Sequence, residues 1–267
     1  MRSDFRTFRR AVAVGVLSLS GMTLATLALT SAVGAAGRDT SQVSSSATPV
    51  RSLSGVKVLG WGFDWPNGIT LSGTHVWVAN AGNAVIELSA STGALVKIIR
   101  GLSYEFNWPD AITSDGTHIW VANFGGNSVT ELSASTGALV KVVSGSSYGF
   151  NNPSAITSSG TNVWVANVSG NSVTELSAST GALVKVVRGS SYEFNGPRGI
   201  TSDDSHVWVA NYGGNSVTEL SASTGALVRV IRGSSYGFDE PEGITSVGNH
   251  IWVTNGGGSS VTEFPAS

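Results

Sequence analysis

The stretch His118-Ile119-Trp120-Val121-Ala122-Asn123 decides the fold, because the chain repeats it at a fixed interval. Its core reads Trp-Val-Ala-Asn, or Trp-Val-Thr-Asn in the last copy. The copies begin at Trp77, Trp120, Trp164, Trp208 and Trp252, at steps of 43, 44, 44 and 44 residues. A constant period in this range is the signature of a repeat architecture in which each copy forms one supersecondary unit.

Each repeat contains four short segments with the character of β-strands. In the second copy these are residues 111–113, 118–123, 128–132 and 139–143, which are separated by clusters of Gly, Asn and Ser. Such segments, bounded by turn residues, predict an antiparallel meander. No segment of the repeats has a helical hydrophobic period of useful length. Four strands in about 44 residues predict one blade of a β-propeller.

The two ends of the repeat region complement one another in sequence. The fifth copy reaches Ser267 without a fourth strand, and residues 55–59 resemble the fourth strand at residues 183–187. We therefore predict an all-β fold over residues 55–267: a single propeller of five four-stranded blades. The N-terminal strand pairs into the last blade and closes the ring, which removes two open sheet edges. The predicted repeats lie near residues 68–110, 111–154, 155–198, 199–242 and 243–267, with the closing strand at 55–59.

The repeat is similar to YVTN-type and NHL-type propeller repeats, and to the repeats of streptogramin (virginiamycin B) lyases. The resemblance rests on Pro-x-Gly/Ala-Ile-Thr, the Trp-Val-Ala/Thr-Asn strand, Gly-Asn-Ser-Val and Thr-Gly-Ala-Leu-Val, and it covers residues 55–267. It implies the fold and says little about function. Streptogramin lyases open a lactone with a histidine, acidic residues and a divalent metal. They usually carry an acidic residue where this chain has Asn, so no catalytic residue is carried over.

The first 54 residues have the pattern of an export region. Residues 1–36 combine a basic start, an apolar run and small residues before Gly37, which predicts a signal peptide cleaved near Ala35 or Ala36. Arg9-Arg10 leaves a twin-arginine route open beside general secretion, and the apolar run is also long enough for an uncleaved anchor. Residues 37–54 are Ser-rich and predict a disordered linker. We expect a secreted, extracytoplasmic protein with no stable membrane insertion after cleavage.

Composition narrows the classes of partner. The chain has no cysteine, 12% charged residues and a formal net charge of −2. This balance favours neither nucleic acid nor an anionic membrane as a partner. We expect a monomer that binds a small molecule, a glycan or a protein.

Positions that are the same in every copy are interpreted as structural. The tryptophans are expected to pack between neighbouring blades, and the asparagines that follow them to form turns. An acid on the third strand and a base on the fourth predict an exposed cross-strand ion pair. The histidines share one position after the turn between strands one and two, which indicates a hydrogen bond within each blade. They are His75, His118, His206 and His250, with Asn162 in the third copy.

Positions that differ between copies on one rim are the candidate site. They lie just before and just after the proline that begins strand one, and just after the strand-two asparagine. The predicted ligand-binding residues are Trp65, Asn67, Trp108, Asp110, Phe124, Arg198, Tyr212, Glu240 and Glu242. Aromatic rings beside a few polar groups suit a sugar, a peptide or a small aromatic ligand. The alternative is drift at surface positions, with Arg198 and Glu242 forming an ion pair between neighbouring blades.

Three interpretations of function remain open at this point. The first is a secreted, non-enzymatic propeller that binds a ligand or protein on this rim, with no catalytic residue and no cofactor. The second is a metal-dependent lyase or hydrolase resembling streptogramin lyase, and the third is a structural part of the cell envelope. A calcium or magnesium ion held by Asp110, Glu240 and Glu242 in the channel mouth also stays open.

Overall fold

The computed structural model describes residues 55–266. The predicted signal peptide (1–36) and linker (37–54) lie outside the described residues. The chain divides into two compact units: among the described residues, 61–266 belong to the first unit and 55–60 to the second. Residues 56–60 form no strand, and the side chains of Val56 and Val58 are exposed.

The first unit consists of successive antiparallel sheets, which we call blades one to five, each with its strands in sequence order. The strands of blades one and two are β1 (Pro66–Ser72), β2 (His75–Asn80), β3 (Ala84–Ser89), β4 (Leu95–Ile99), β5 (Pro109–Ser114), β6 (His118–Asn123), β7 (Ser128–Ser133) and β8 (Leu139–Val143). Those of blades three and four are β9 (Pro153–Ser159), β10 (Asn162–Asn167), β11 (Ser172–Ser177), β12 (Leu183–Val187), β13 (Pro197–Ser202), β14 (His206–Asn211), β15 (Ser216–Ser221) and β16 (Leu227–Ile231). Blade five contains β17 (Pro241–Val247), β18 (His250–Asn255) and β19 (Ser260–Pro265).

Short 3₁₀ turns complete the secondary structure. Four of them follow the outer strand of a blade and lead to the next: Leu102–Tyr104, Ser146–Tyr148, Ser190–Tyr192 and Ser234–Tyr236. A fifth, Tyr212–Gly214, lies between β14 and β15. The predicted all-β fold of repeated four-stranded units is confirmed for blades one to four.

Neighbouring blades are joined by a repeated apolar interface. Between blades two and three, Trp120, Ala122 and Val129 pack with Ile156 and Val163 in one buried cluster. The other three junctions contain clusters of the same kind. The first strands also pack on one another in order, β1 on β5, β5 on β9, β9 on β13 and β13 on β17. The hydrophobic core is therefore divided among the junctions between blades.

Polar bonds between blades reinforce this packing. Lys97 Nζ donates to the carbonyl of Thr136 in the next blade at 2.5 Å. Lys141 of blade two and Lys185 of blade three make the same contact with the blade that follows each of them. Each of these lysines belongs to an outer strand and reaches the turn between strands three and four of the following blade. The outer strand therefore fixes its blade to the next one.

Two expectations about the repeated polar residues are confirmed only in part. The cross-strand ion pairs form in blades two to four, with Lys141 Nζ 3.8 Å from Glu131 Oε2. The strand-three acids of blades one to four are buried, however, with Glu131 only 1% exposed, so the pairs are not exposed as expected. Burial raises the pKa of Glu131, and the charges of Lys141 and His118 oppose that rise. The strand-two asparagines are also buried rather than turn residues alone: Asn123 Nδ2 donates to Ser128 Oγ and Thr130 Oγ1. Central strands covered on both faces leave no exposed place for these side chains.

The predicted closure of the ring is not observed. Blade five has three strands, in the order β17-β18-β19, and residues 55–59 are not part of any strand. A fourth strand of blade five, and with it the closure of the ring, is therefore not shown by the described residues. Trp252 is 41% exposed, whereas the other four repeat tryptophans are fully buried. Trp252 thus lacks the neighbouring blade that covers its counterparts.

One buried tryptophan differs from the others in its polar contacts. Trp120 Nε1 donates to Asp115 Oδ2 at 2.8 Å, while the buried Nε1 groups of Trp77, Trp164 and Trp208 have no hydrogen-bond partner. Burial alone raises the pKa of Asp115. Hydrogen bonds from Trp120 and from His118 and Thr117 outweigh it and hold the pKa below its ordinary value. The Asp115 carboxylate is therefore stabilised in its charged form by folding.

We predict that Asp115→Ser, which installs the residue found at position 159 of blade three, lowers the free energy of unfolding by about 1–3 kcal/mol. The substitution leaves the buried Trp120 N–H without an acceptor. Because the folded-state pKa is depressed, this stabilisation is present above the unfolded pKa, near about 4, and is lost as pH falls through the folded value. Urea denaturation at pH 7 and pH 3 measures both effects.

Asp203→Ser is the matched control. Asp203 occupies the same position in blade four and accepts bonds from the backbone of Ser205 and His206, but Trp208 Nε1 has no partner. We expect Asp203→Ser to lower the free energy of unfolding by less than Asp115→Ser does. Equal losses would show that the bond to Trp120 contributes nothing of its own.

Candidate functional site

The candidate rim lies at one end of the strands. In blade one, Pro66 pairs with Asn80 at this end and Ser72 pairs with His75 at the other. The residue before each proline then bonds the residue after each strand-two asparagine: Phe124 N–H donates to the carbonyl of Trp108 at 3.0 Å. The same bond joins the corresponding residues of the other four blades. Two of the three predicted sets of variable residues are therefore brought together within every blade.

The position before each proline has a left-handed backbone in all five copies. The φ angles are 58° at Trp65, 57° at Trp108, 52° at Asn152, 62° at Gly196 and 51° at Glu240. Gly adopts this conformation without strain and Asn tolerates it, whereas other residues do so at a cost of about 1–2 kcal/mol. Blades three and four therefore carry residues suited to this backbone, while blades one, two and five carry strained ones.

A residue outside the predicted set helps to impose this backbone. Asn83 of blade one accepts, through Oδ1, the backbone N–H of Trp108 in blade two at 2.9 Å. Equivalent bonds at the next three junctions come from the asparagines at 127, 171 and 215. The sequence signal for these asparagines was an Asn that recurs before Ser-Val, or before Ala-Val in blade one. Ser259 replaces it in the last copy. These asparagines position the rim without belonging to the variable set.

Blades one and two form an aromatic sector. The rings of Trp108 and Phe124 meet edge to face, with centroids 5.8 Å apart. Trp65, in the same position one blade earlier, is 59% exposed. Asn152 Nδ2 of blade three donates to the carbonyl of Phe124 at 3.1 Å and fixes the loop that carries it. We define Trp65, Trp108 and Phe124 as the aromatic sector.

The residues just after the prolines contact one another between blades. Asn67 Nδ2 donates to Asp110 Oδ1 at 2.8 Å, and Arg198 Nη1 lies 2.5 Å from Glu242 Oε1. The ion pair anticipated as the alternative to a binding role for Arg198 and Glu242 is therefore formed. The residues just after the prolines therefore form contacts between neighbouring blades.

Blades four and five form a charged sector whose polar groups bond with one another. The Arg198 guanidinium lies 4.1 Å from the centre of the Tyr212 ring as well as beside Glu242. A hydrogen bond between the Tyr212 hydroxyl and Glu240 raises the pKa of Tyr212. Arg198, Tyr212, Glu240 and Glu242 thus make one network whose charges are largely engaged with each other.

The alternative of a cation held by Asp110, Glu240 and Glu242 is not supported by the geometry. Glu242 is paired with Arg198, and Asp110 accepts a bond from Asn67. In the part of the chain that the structure describes, no group of three acidic or histidine side chains is placed to hold a metal ion. A carboxylate that is already paired with an arginine is a poor ligand for calcium, which takes six or more oxygen ligands.

The histidines lie at the far end of the strands from the rim, about 20 Å away for six strand residues. His118 Nε2 is 3.5 Å from Glu131 Oε1, and His206 Nε2 is 3.6 Å from Glu219 Oε1. In blade three, Asn162 Nδ2 donates to the equivalent Glu175 at 2.8 Å. The histidine position therefore contacts the buried acid of its own blade.

We predict that His206→Asn changes the free energy of unfolding by less than about 1 kcal/mol, because Asn162 already makes this contact in blade three. Glu219→Ala should cost about 1–3 kcal/mol, since it removes the acceptor used by both His206 and Arg229. Thermal and urea denaturation of the two variants measures the difference. A loss for His206→Asn as large as that for Glu219→Ala would contradict the proposed equivalence.

Several solved structures are similar to this chain in fold, among them the three that follow. A streptogramin B lyase structure matches with a TM-score of 0.61 and 19% identity over 74% of this chain and 64% of that one. A nidogen/laminin complex matches with a TM-score of 0.62 and 16% identity over 75% of each chain. Hydrazine synthase of Kuenenia stuttgartiensis matches with a TM-score of 0.58 and 22% identity over 76% of this chain and 58% of that one.

The fold is a β-propeller of repeated blades. No protein-family model matches the chain, and no curated protein matches it in sequence. The chain spans less than two thirds of the streptogramin lyase and hydrazine synthase chains, and identities this low establish the fold alone. Within residues 55–266, no helix is long and apolar enough to cross a membrane.

Proposed function

We propose that the chain is a secreted, non-enzymatic β-propeller that binds a small molecule, a glycan or a protein partner on its rim, chiefly through the aromatic sector. The rim is built from loops between blades and between strands two and three. Loops held by a rigid scaffold are the usual places for recognition.

The observation that carries this proposal is the pair of tryptophans in left-handed backbone. At the same position Gly196 and Asn152 fit without strain, yet blades one and two carry Trp65 and Trp108. Strained residues of this kind cluster at binding and active sites, where function maintains them. An exposed tryptophan also gains little from water, whereas it supplies a large, rigid contact area to a ligand.

The aromatic sector is a better contact surface than the charged sector. Arg198 and Glu242 already neutralise one another, and an incoming ligand would have to compete with that pair. Trp65 presents more than half of its side chain to solvent. The exposed ring of Trp65, two residues before Asn67 in the chain, suits a sugar ring or an apolar side chain that also forms one or two hydrogen bonds.

The enzymatic alternative has less support from the geometry. The four histidines contact the acids of their own blades at the opposite end of the strands. The rim carboxylates of Asp110 and Glu242 are engaged between blades. These positions leave no histidine beside the rim to act as a general base there.

A double variant converts the blade-two rim into that of blade three. In Trp108→Asn with Phe124→Val, both new residues occupy the equivalent places in blade three, as Asn152 and Val168. We expect the variant to lose at least tenfold in affinity for a ligand found by glycan-array and small-molecule screening, as for removal of an aromatic anchor. Its melting temperature should stay within a few degrees, because relief of the left-handed strain offsets the lost ring contact.

Val168→Ala is the control, since it changes the same loop position in a blade whose rim positions, Asn152, Ser154 and Val168, carry no aromatic residue. It should leave affinity unchanged. Unaltered binding by the double variant would remove the aromatic sector from the site. A screen in which the wild-type chain binds nothing would favour a structural role in the cell envelope.

Export is tested separately from binding. Since residues 1–36 have the pattern of a signal peptide, we expect the protein recovered outside the cytoplasm to begin at Ala36 or Gly37. Intact-mass spectrometry of that protein decides the point. A mass that includes Met1 would instead indicate a retained anchor.

A further inference from the structure

The rim of blade four already holds a guanidinium, that of its own Arg198. The guanidinium lies 4.1 Å from the centre of the Tyr212 ring, which is within the range of a cation–π contact. Arg198 Nη1 is also 2.5 Å from Glu242 Oε1 of the next blade, and the Arg198 side chain is only 16% exposed. The rim can therefore hold a guanidinium between an aromatic ring and a carboxylate.

Blade two has an aromatic ring at the same position but carries an acid in place of the arginine. Phe124 corresponds to Tyr212, since each follows a strand-two asparagine, and Asp110 corresponds to Arg198, since each follows a proline. The same backbone bond joins the two loops that carry these residues, at 3.0 Å in both blades. The backbone that places a cation over an aromatic ring in blade four thus places a carboxylate near one in blade two.

A second ring enlarges the aromatic surface of blade two. Trp108 meets Phe124 edge to face, with centroids 5.8 Å apart, and both residues are partly exposed. Blade four has Gly196 at the position of Trp108 and gains no ring there. Tryptophan is the aromatic residue that attracts cations most strongly. Blade two therefore offers a cation more aromatic surface than blade four does.

The carboxylate of Asp110 has the same place between blades as that of Glu242. Asn67 Nδ2 of blade one donates to Asp110 Oδ1 at 2.8 Å, as Arg198 of blade four donates to Glu242. The amide of Asn67 has no charge, so this contact leaves the negative charge of Asp110 in place. A cation beside Asp110 would supply the charge that Arg198 supplies to Glu242.

The charge of the whole rim also favours a cation. We counted the residues from two before each proline to one after it, together with the residue after each strand-two asparagine. These positions contain one base, Arg198, and five acids, which are Asp64, Asp110, Asp239, Glu240 and Glu242. Complementary charge of this kind steers a ligand to its site and selects among ligands.

We propose that the blade-two part of the aromatic sector binds the guanidinium of an arginine side chain on a peptide or protein partner. The guanidinium lies against Phe124 and Trp108 and pairs with Asp110. A planar guanidinium can stack on a ring and donate to a carboxylate at once, which the ammonium of lysine does less well. The inference rests on the proposed rim function and names the ligand chemistry of that same site.

Three peptides that differ in one side chain test this chemistry on the full chain. Each is capped at both ends and carries arginine, its neutral analogue citrulline, or lysine between glycines. In an NMR titration that follows the indole N–H of Trp108, the arginine peptide should bind at least tenfold more tightly than the citrulline peptide. Lysine should be intermediate, and rising salt should weaken the binding of arginine because charges are screened.

Two substitutions at Asp110 separate charge from shape. Asp110→Asn keeps the size of the side chain and removes its charge. It should weaken binding of the arginine peptide at least tenfold and leave that of the citrulline peptide unchanged. Asp110→Arg installs the blade-four residue, so the chain fills its own site and peptide binding should be lost.

The reverse change is made in blade four. Arg198→Ser installs the residue that blade three has as Ser154, and it uncovers Tyr212 beside Glu242. We expect the number of arginine peptides bound per chain to rise from one to two. Arg188→Ser is the matched control, because Arg188 is an exposed arginine that follows an outer strand and Ser144 stands there in blade two. It should leave the number at one.

The outcomes distinguish this inference from the proposed function. Equal binding of the arginine and citrulline peptides, or of arginine and lysine, would overturn the assignment to a guanidinium. Binding that survives Asp110→Arg would place the guanidinium elsewhere. A rim that binds a glycan or neutral small molecule but no arginine peptide would refute this inference alone. A chain that binds none of these ligands would contradict the proposed function as well.

Discussion

The packing of each repeat tryptophan against the next blade is the interaction on which the rest of the structure depends. A buried tryptophan removes 150–250 Å² from water, or roughly 4–6 kcal/mol at about 25 cal/mol per Å². Four of the five tryptophans are covered in this way. A single blade has no such partner for its own faces, so each is stable only beside a neighbour, as in other repeat proteins.

The dependence of each blade on its neighbour explains why certain polar residues recur at the same position in successive blades. Asn83 and its equivalents reach the backbone of the next blade, and Lys97 and its equivalents reach the next turn. Both contacts require one blade to be placed accurately on another, and the asparagine contact holds the backbone before the proline in the same way in blades two to five. The side chains of the rim can then differ between blades while the backbone is held constant. These varying side chains are available for ligand recognition.

The sequence predicted the period, the four-strand unit and the histidine position, because these follow from short-range patterns within one repeat. Burial of Glu131 was not predicted. A glutamate paired with a lysine on the next strand is expected to be exposed when only those two strands are considered, whereas here both faces of the sheet are covered. The left-handed backbone at Trp108 was also missed, because tryptophan gives no signal for it; Gly196 and Asn152 did. Closure of the ring is not shown and stays a prediction, which rests on the similarity of residues 55–59 to a fourth strand.

Two departures from the repeat fall at positions that contact the following blade. Thr254 of blade five replaces an alanine that is buried in blades one to four, and Ser259 replaces the asparagine that bonds the next blade. Alanine and asparagine recur where a junction between two described blades uses them. The residue types at these two positions are therefore set by packing between blades rather than by the fold of a single blade.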